Sequence, residues 1–113
     1  MSEQEKNLYE FDPVSFAQLC AERNGVNVRV NYLFPKYKFF QDKVAVGNQS
    51  EVDDYHLAQV GVFLGNEYLR DDPTQARTYY QSAHDAYIRI GDNKGAAYAK
   101  LLLDKVSINT QAL

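Results

Sequence analysis

Arg29, Lys36, Lys38 and Lys43 interleave with Tyr32, Phe34, Tyr37, Phe39 and Phe40 between residues 29 and 43. Basic side chains hold phosphates and exposed rings stack on bases, so this composition suits RNA or a nucleic-acid single strand. It would equally suit an acidic protein partner. On a strand, however, Arg29 and the rings face opposite sides, which leaves a solvated basic edge beside a buried aromatic face. Lysines on an edge strand also block unwanted pairing. Elsewhere the chemistry is sparse. The two histidines, His56 and His84, stand on different segments without CxxC or HExxH spacing, so no metal site is expected. His84, beside Asp85, should be exposed. Cys20 has no neighbour that marks a nucleophile and reads as a small buried apolar residue. Asp53-Asp54 and Asp71-Asp72 stand at helix starts, where carboxylates are wanted structurally. There is no glycine-rich phosphate loop and no GxSxG. The expectation is a non-enzymatic protein with no cofactor.

Bulk properties narrow the class. The chain has 113 residues, 45% of them hydrophobic, enough for one folded domain. A net charge of −3 argues against polyanion binding by the molecule as a whole. The charge is uneven: residues 44–72 carry Glu51, Asp53, Asp54, Glu67, Asp71 and Asp72 against Arg70 alone. A single cysteine and the polar start MSEQEKNLYEFDP point to a reducing cytoplasm without a signal peptide. No apolar run nears the ~20 residues that span a bilayer. Nine tyrosines offer rings with a polar rim, which suits contact surfaces as well as cores.

The elements follow from periodicity and caps. Residues 1–10 read as a polar lead-in. Asp12-Pro13 opens a helix over 13–23, with Phe11 and Phe16 at hydrophobic-staple spacing. Val14, Ala17 and Cys20 share one side of it, with Phe16 and Leu19 adjacent, and Asn24-Gly25 supplies a left-handed stop. Val28, Val30, Tyr32 and Phe34 alternate with Asn27, Arg29, Asn31 and Leu33, which predicts a strand over 27–34. Residues 36–46 are open between a second strand, closing a β-hairpin, and a short helix. After a linker at 47–50, Ser50 with Asp53 forms a capping box that starts a helix over 51–70. Asp72-Pro73 starts the next, whose Ala76, Tyr80, Ala83, Tyr87 and Ile90 are spaced four, three, four and three. Gly91-Asp92 ends it, and Asp92 or Asn93 starts the last helix. A last helix over 94–107 carries Ala96, Ala99, Leu102, Leu103 and Val106, and the tail after it should fray.

Within residues 54–108, Leu64, Gly65 and Tyr68 followed by Ala76, Tyr80 and Ala83 resemble the tetratricopeptide repeat. Gly65, Ala76 and Ala83 would let two backbones approach, with Tyr68 and Tyr80 filling the space between. Ile90-Gly91-Asp92, Gly95, Ala97 and Ala99 resemble the junction to a further unit, in which Leu103 would take the place of Leu64. The resemblance covers one and a half units, and no matching unit stands upstream of residue 50. Several positions depart from the pattern. Tyr68 to Ala76 is one residue short, Gly61 occupies a place that is often large, and Asp104 and Ser107 replace the next Gly and Tyr. The resemblance implies a mainly α single domain, with the helical hairpin and third helix packed on the helix and β-hairpin of residues 11–50.

It also implies binding of a protein partner through the first helix of each unit. Gln59, Val62, Asn66 and Leu69 would line that surface with Tyr98, Leu101 and Lys105, unless Val62 and Leu69 belong to the core. The carboxylate clamp of some members is missing, since Val62 stands where a lysine is needed. The implied role is an adaptor, assembly factor or small chaperone. A small stoichiometric inhibitor of a larger enzyme or complex is the alternative, and nucleic-acid binding by residues 29–43 a third. Fewer than ~3 repeats rarely stand alone, so homo-oligomerisation is a further expectation.

Overall fold

The computed structural model describes residues 11–22 and 25–111. Those residues form five helices: α1 (Pro13–Ala21), α2 (Val26–Ala45), α3 (Glu51–Tyr68), α4 (Pro73–Arg89) and α5 (Asn93–Gln111). The lead-in at 1–10 and Asn24 lie outside the described residues.

The caps are those the sequence announces. Asp12 accepts from the Val14 N–H at 3.1 Å, and Phe11 meets Phe16 at a ring distance of 5.9 Å, completing the staple. At α3, Ser50 and Asp53 exchange backbone bonds of 3.2 and 2.9 Å in a capping box. Asp72 caps α4 through the Gln75 N–H, and Asp92 caps α5 through the Gly95 N–H. Helices α2 and α4 end on left-handed glycines, Gly47 and Gly91, each at φ 72°. The paired bonds Asn48 N–H to Lys43 O and Gly47 N–H to Val44 O show the usual geometry of such an end.

The strand expected over 27–34 and the β-hairpin built on it are overturned. No strand occurs among the described residues, and 26–45 form one helix with Pro35 inside it. The buried positions Leu33, Lys36 and Phe40 follow a helical period, while Val28 and Phe34 of the apparent alternation face solvent. Pro35 is exposed and so is Asn31, whose carbonyl loses its i+4 donor to the proline. Gly25 is not a left-handed stop; at φ −68° and ψ 166° it stands as the N-cap of α2. On α1, Phe16 is the buried residue, whereas Val14, Ala17 and Cys20 are exposed. A nine-residue helix that docks by its rings has no second face to bury, so Cys20 is not a core residue. Helix α5 continues to Gln111, beyond the expected end near 107.

Consecutive helices pack on one another, giving a body of 48 × 34 × 22 Å, about two helix diameters thick. Helices α3, α4 and α5 enclose the larger core, with Leu57, Ala58, Val62, Tyr80, Ala83, Ala99 and Val106, which Phe40 of α2 joins. Phe11, Phe16, Leu33, Val60, Leu64 and Tyr79 form a second core, where α1 and α2 close over α3. Tyr37 of α2 reaches α4 as well, with its ring edge-on to Tyr79 and its hydroxyl 2.7 Å from Ser82 Oγ.

The crossing of α3 and α4 uses the small residues. A Cβ on Gly61 would stand 2.9 Å from the Tyr79 carbonyl oxygen and 3.2 Å from the Ala83 Cβ. A Cβ on Gly65 would overlap the Tyr80 ring, and one on Gly95 of α5 would overlap Tyr87. Gly65→Ala tests this directly. The substitution gains roughly 1 kcal/mol of helix propensity, against an overpacking cost of about 1–3 kcal/mol. Tyr80 is fully buried and cannot retreat, so the overlap wins. We expect a net loss of up to about 2 kcal/mol, read as a lower urea midpoint at unchanged slope.

Candidate functional site

The surface expected from the sequence comes from α3 and α5, which both pack on α4. Along α3, Tyr55, Gln59, Val62 and Asn66 recur at helical spacing on one flank. Tyr55 is 44% exposed and Asn66 is exposed, but Val62, at 7%, belongs to the core. Leu69, just past the end of α3, is half-buried against the same core. On α5, Tyr98 and Leu101 are 50% and 52% exposed, with Lys105 exposed one turn further on. Of the expected contacts, Gln59, Asn66, Tyr98 and Lys105 therefore present atoms to solvent, whereas Val62 presents almost none.

Two tyrosines of α4 join the flanks. The Tyr80 hydroxyl donates to Asn66 Oδ1 at 2.6 Å, which turns the Asn66 amide NH2 outward as a donor. Burial, and then the neighbouring Tyr98, push the Tyr80 hydroxyl up to about 12, so it keeps its proton and remains a donor at neutral pH. The Tyr87 hydroxyl is also pushed up, first by burial and then by Asp92, Tyr55 and Tyr98. Gln59 Nε2 donates to the Tyr55 hydroxyl at 3.1 Å. Tyr55 and Lys94 extend this surface beyond the residues marked by the resemblance. Their helical spacing with Gln59 and Tyr98 was the available signal.

The basic stretch does not form an open patch. Arg29, Lys36 and Lys43 recur every seven residues on the side of α2 that meets α3. Arg29 pairs with Glu67 at 2.6 Å and Lys43 with Asp53 at 3.1 Å. Lys36 is 7% exposed, with its ammonium 4.2 Å from the Tyr32 ring centre, and burial lowers its basicity. Lys38 alone of the four is exposed. Phe40 is buried and stacks on His56 at 5.5 Å. These cations and rings are largely occupied in joining α2 to its neighbours.

His84 is half-buried, and its Nδ1 lies 3.8 Å from the Asp85 carboxylate, short of the full exposure expected. Among the described residues, no group of three or more His, Cys, Asp or Glu side chains converges on a metal-sized site. No helix among them is long and apolar enough to cross a membrane. Against family models, curated proteins and solved structures, the chain finds no match.

One titration reports on the α2–α3 junction. Burial pushes Asp53 up, but the Ser50 N–H and the Lys43 ammonium outweigh it and hold the carboxyl below its ordinary range. Its stabilising contribution is therefore complete above the unfolded value of about 3.9. It disappears as pH falls through the lower folded value. We expect the urea midpoint to drop as pH is lowered below about 4, with a shallower drop in Asp53→Asn. An equal slope in wild type and variant would remove Asp53 from that role.

Proposed function

We propose that this chain is a non-enzymatic protein-binding module that engages its partner across the face formed by α3 and α5. The observation that carries the reading is the exposure of Tyr55 on α3 and of Tyr98 and Leu101 on α5, two helices that both pack on α4. Half-exposed rings on a rigid helical floor make good anchors, since little side-chain freedom is lost when they are covered. Gln59, Asn66 and Lys105 supply a polar rim of the kind that surrounds an apolar contact centre. Resemblance to the tetratricopeptide repeat supports the same face, because its partner-facing helices correspond to α3 and α5. The role that follows is that of an adaptor, assembly factor or small chaperone.

The test is affinity capture from source-organism lysate, with and without nuclease, using wild type and the double variant Tyr98→Asp/Leu101→Asp. A near-stoichiometric protein that resists nuclease and falls at least tenfold with the variant is expected. A partner indifferent to the variant would remove this face from the function. Lys38→Glu is the informative change for nucleic-acid binding by residues 29–43, since the buried Lys36 would confound binding with folding. Capture that vanishes with nuclease and with Lys38→Glu would transfer the function to α2.

A further inference from the structure

Helix α1 is held differently from the other helices. Helices α2 to α5 lie along their neighbours, but the α1 backbone touches α2 only lightly. What docks α1 is a pair of rings. Phe11 and Phe16 are buried, whereas Val14, Ala17, Cys20 and Ala21 face solvent. Both rings stand against Phe63 of α3, at 5.4 and 4.8 Å, and against Tyr32 of α2, at 6.5 and 6.0 Å. Leu33 and Val60 belong to the same cluster. A short segment anchored by two side chains, with its outer face in water, is the form in which helical peptides dock into grooves.

The walls of this groove do not depend on α1. Arg29–Glu67, Phe40–His56 and Lys43–Asp53 hold α2 on α3, and Tyr37 ties α2 to Tyr79 and Ser82 of α4. On its own side, α1 caps itself: Asp12 accepts from the Val14 N–H at 3.1 Å and from the Ser15 hydroxyl at 2.7 Å. A nine-residue helix does not persist in water by itself. It is therefore helical only while its rings are seated, and lifting it is a local unfolding confined to one element. The helices α2 to α5 would keep their own contacts and present Tyr32 and Phe63 as an open apolar surface.

We propose that α1 is an internal ligand: it reversibly fills an aromatic groove between α2 and α3, and that groove takes in trans a short helix of a partner protein that presents two phenylalanines at the spacing of Phe11 and Phe16. The class of ligand follows from α1 itself, which is seated there. While seated, α1 excludes such a partner, so the contact is autoinhibitory. The groove uses none of the residues of the α3/α5 face, so this inference and the reading of that face fail separately.

The probe is a fluorescent peptide of residues 11–22, carrying Cys20→Ser, titrated against the full chain. It is expected to bind the variant Phe11→Ala/Phe16→Ala saturably. Wild type should bind it at least about tenfold more weakly, because a closed α1 lowers the apparent affinity by the fraction of molecules that are open. A peptide that also carries Phe16→Ala should bind neither chain. Hydrogen exchange of wild type gives a reading without substitution: α1 amides should exchange through an opening that urea hardly promotes, while α4 amides wait for global unfolding. Collapse of the circular dichroism of Phe11→Ala/Phe16→Ala would make α1 an integral part of the fold and overturn the proposal. So would failure of the peptide to bind that variant, equal binding to variant and wild type, binding indifferent to Phe16→Ala in the peptide, or α1 amides as protected as those of α4. Peptide binding should survive Tyr98→Asp/Leu101→Asp; its loss would assign the peptide to the α3/α5 face and overturn the groove while leaving the reading of that face intact.

Discussion

The close approach of α3 to α4 at Gly61 and Gly65 is the constraint on which the rest of the molecule depends. Two helices come this near only where neither backbone carries a side chain in the way. Gly61 admits the Tyr79 carbonyl and Ala83, and Gly65 admits the Tyr80 ring. Tyr80 can then fill the crossing completely and still deliver its hydroxyl to Asn66 on the far side. Tyr87 over Gly95 repeats the device between α4 and α5. Large rings over absent side chains thus set the spacing of three consecutive helices, and with it the distance between the two flanks of the proposed binding face.

Helix α2 is fastened by a different device. Arg29–Glu67, Phe40–His56 and Lys43–Asp53 each join residues equally distant from Asn48 in the linker, so the three contacts define one antiparallel register. A slip by one residue would separate both ion pairs and move Leu33 and Phe40 out of the core. Asp53 links this register to the start of α3, because the same carboxylate caps the helix and receives Lys43. The acidic run of residues 44–72 and the basic run before it are therefore partly two halves of one contact. Arg29, Glu67, Lys43 and Asp53 are taken up in that contact, whereas Lys38, Glu51, Asp71 and Asp72 stay exposed.

The last three helices were legible in the sequence because local and global signals agree there. Ser50, Asp72 and Asp92 cap where they stand, and Ala76, Tyr80 and Ala83 repeat with the period of the face they bury. In α2 the signals conflict. Its buried seam includes Lys36 and a half-buried Arg29, so a reader of hydrophobicity sees gaps where the core is. Val28 and Phe34 are apolar and exposed, and so supply the alternation of a strand without its cause. Pro35 strengthens the illusion of a break, although an exposed proline costs a helix less when water can take the orphaned carbonyl. Cys20 was misplaced for a related reason: α1 is anchored by Phe16 and by Phe11 before it, and a short helix held by rings leaves its small residues outside.

The sequence by itself determined where α3, α4 and α5 begin, which of their faces are buried, and where glycine and alanine permit close crossing. Those properties are local, written in caps and in spacings of three and four. Only the tertiary structure decided that residues 26–45 are helical, since the partners that make Arg29 and Lys43 tolerable on the buried side lie on α3. It also decided which candidates reach solvent. Val62 and Asn66 stand one turn apart on α3, yet the core covers Val62 while Tyr80 holds Asn66 at the surface. Exposure and charge pairing depend on what packs against a residue, and that is a property of neighbours distant in the chain.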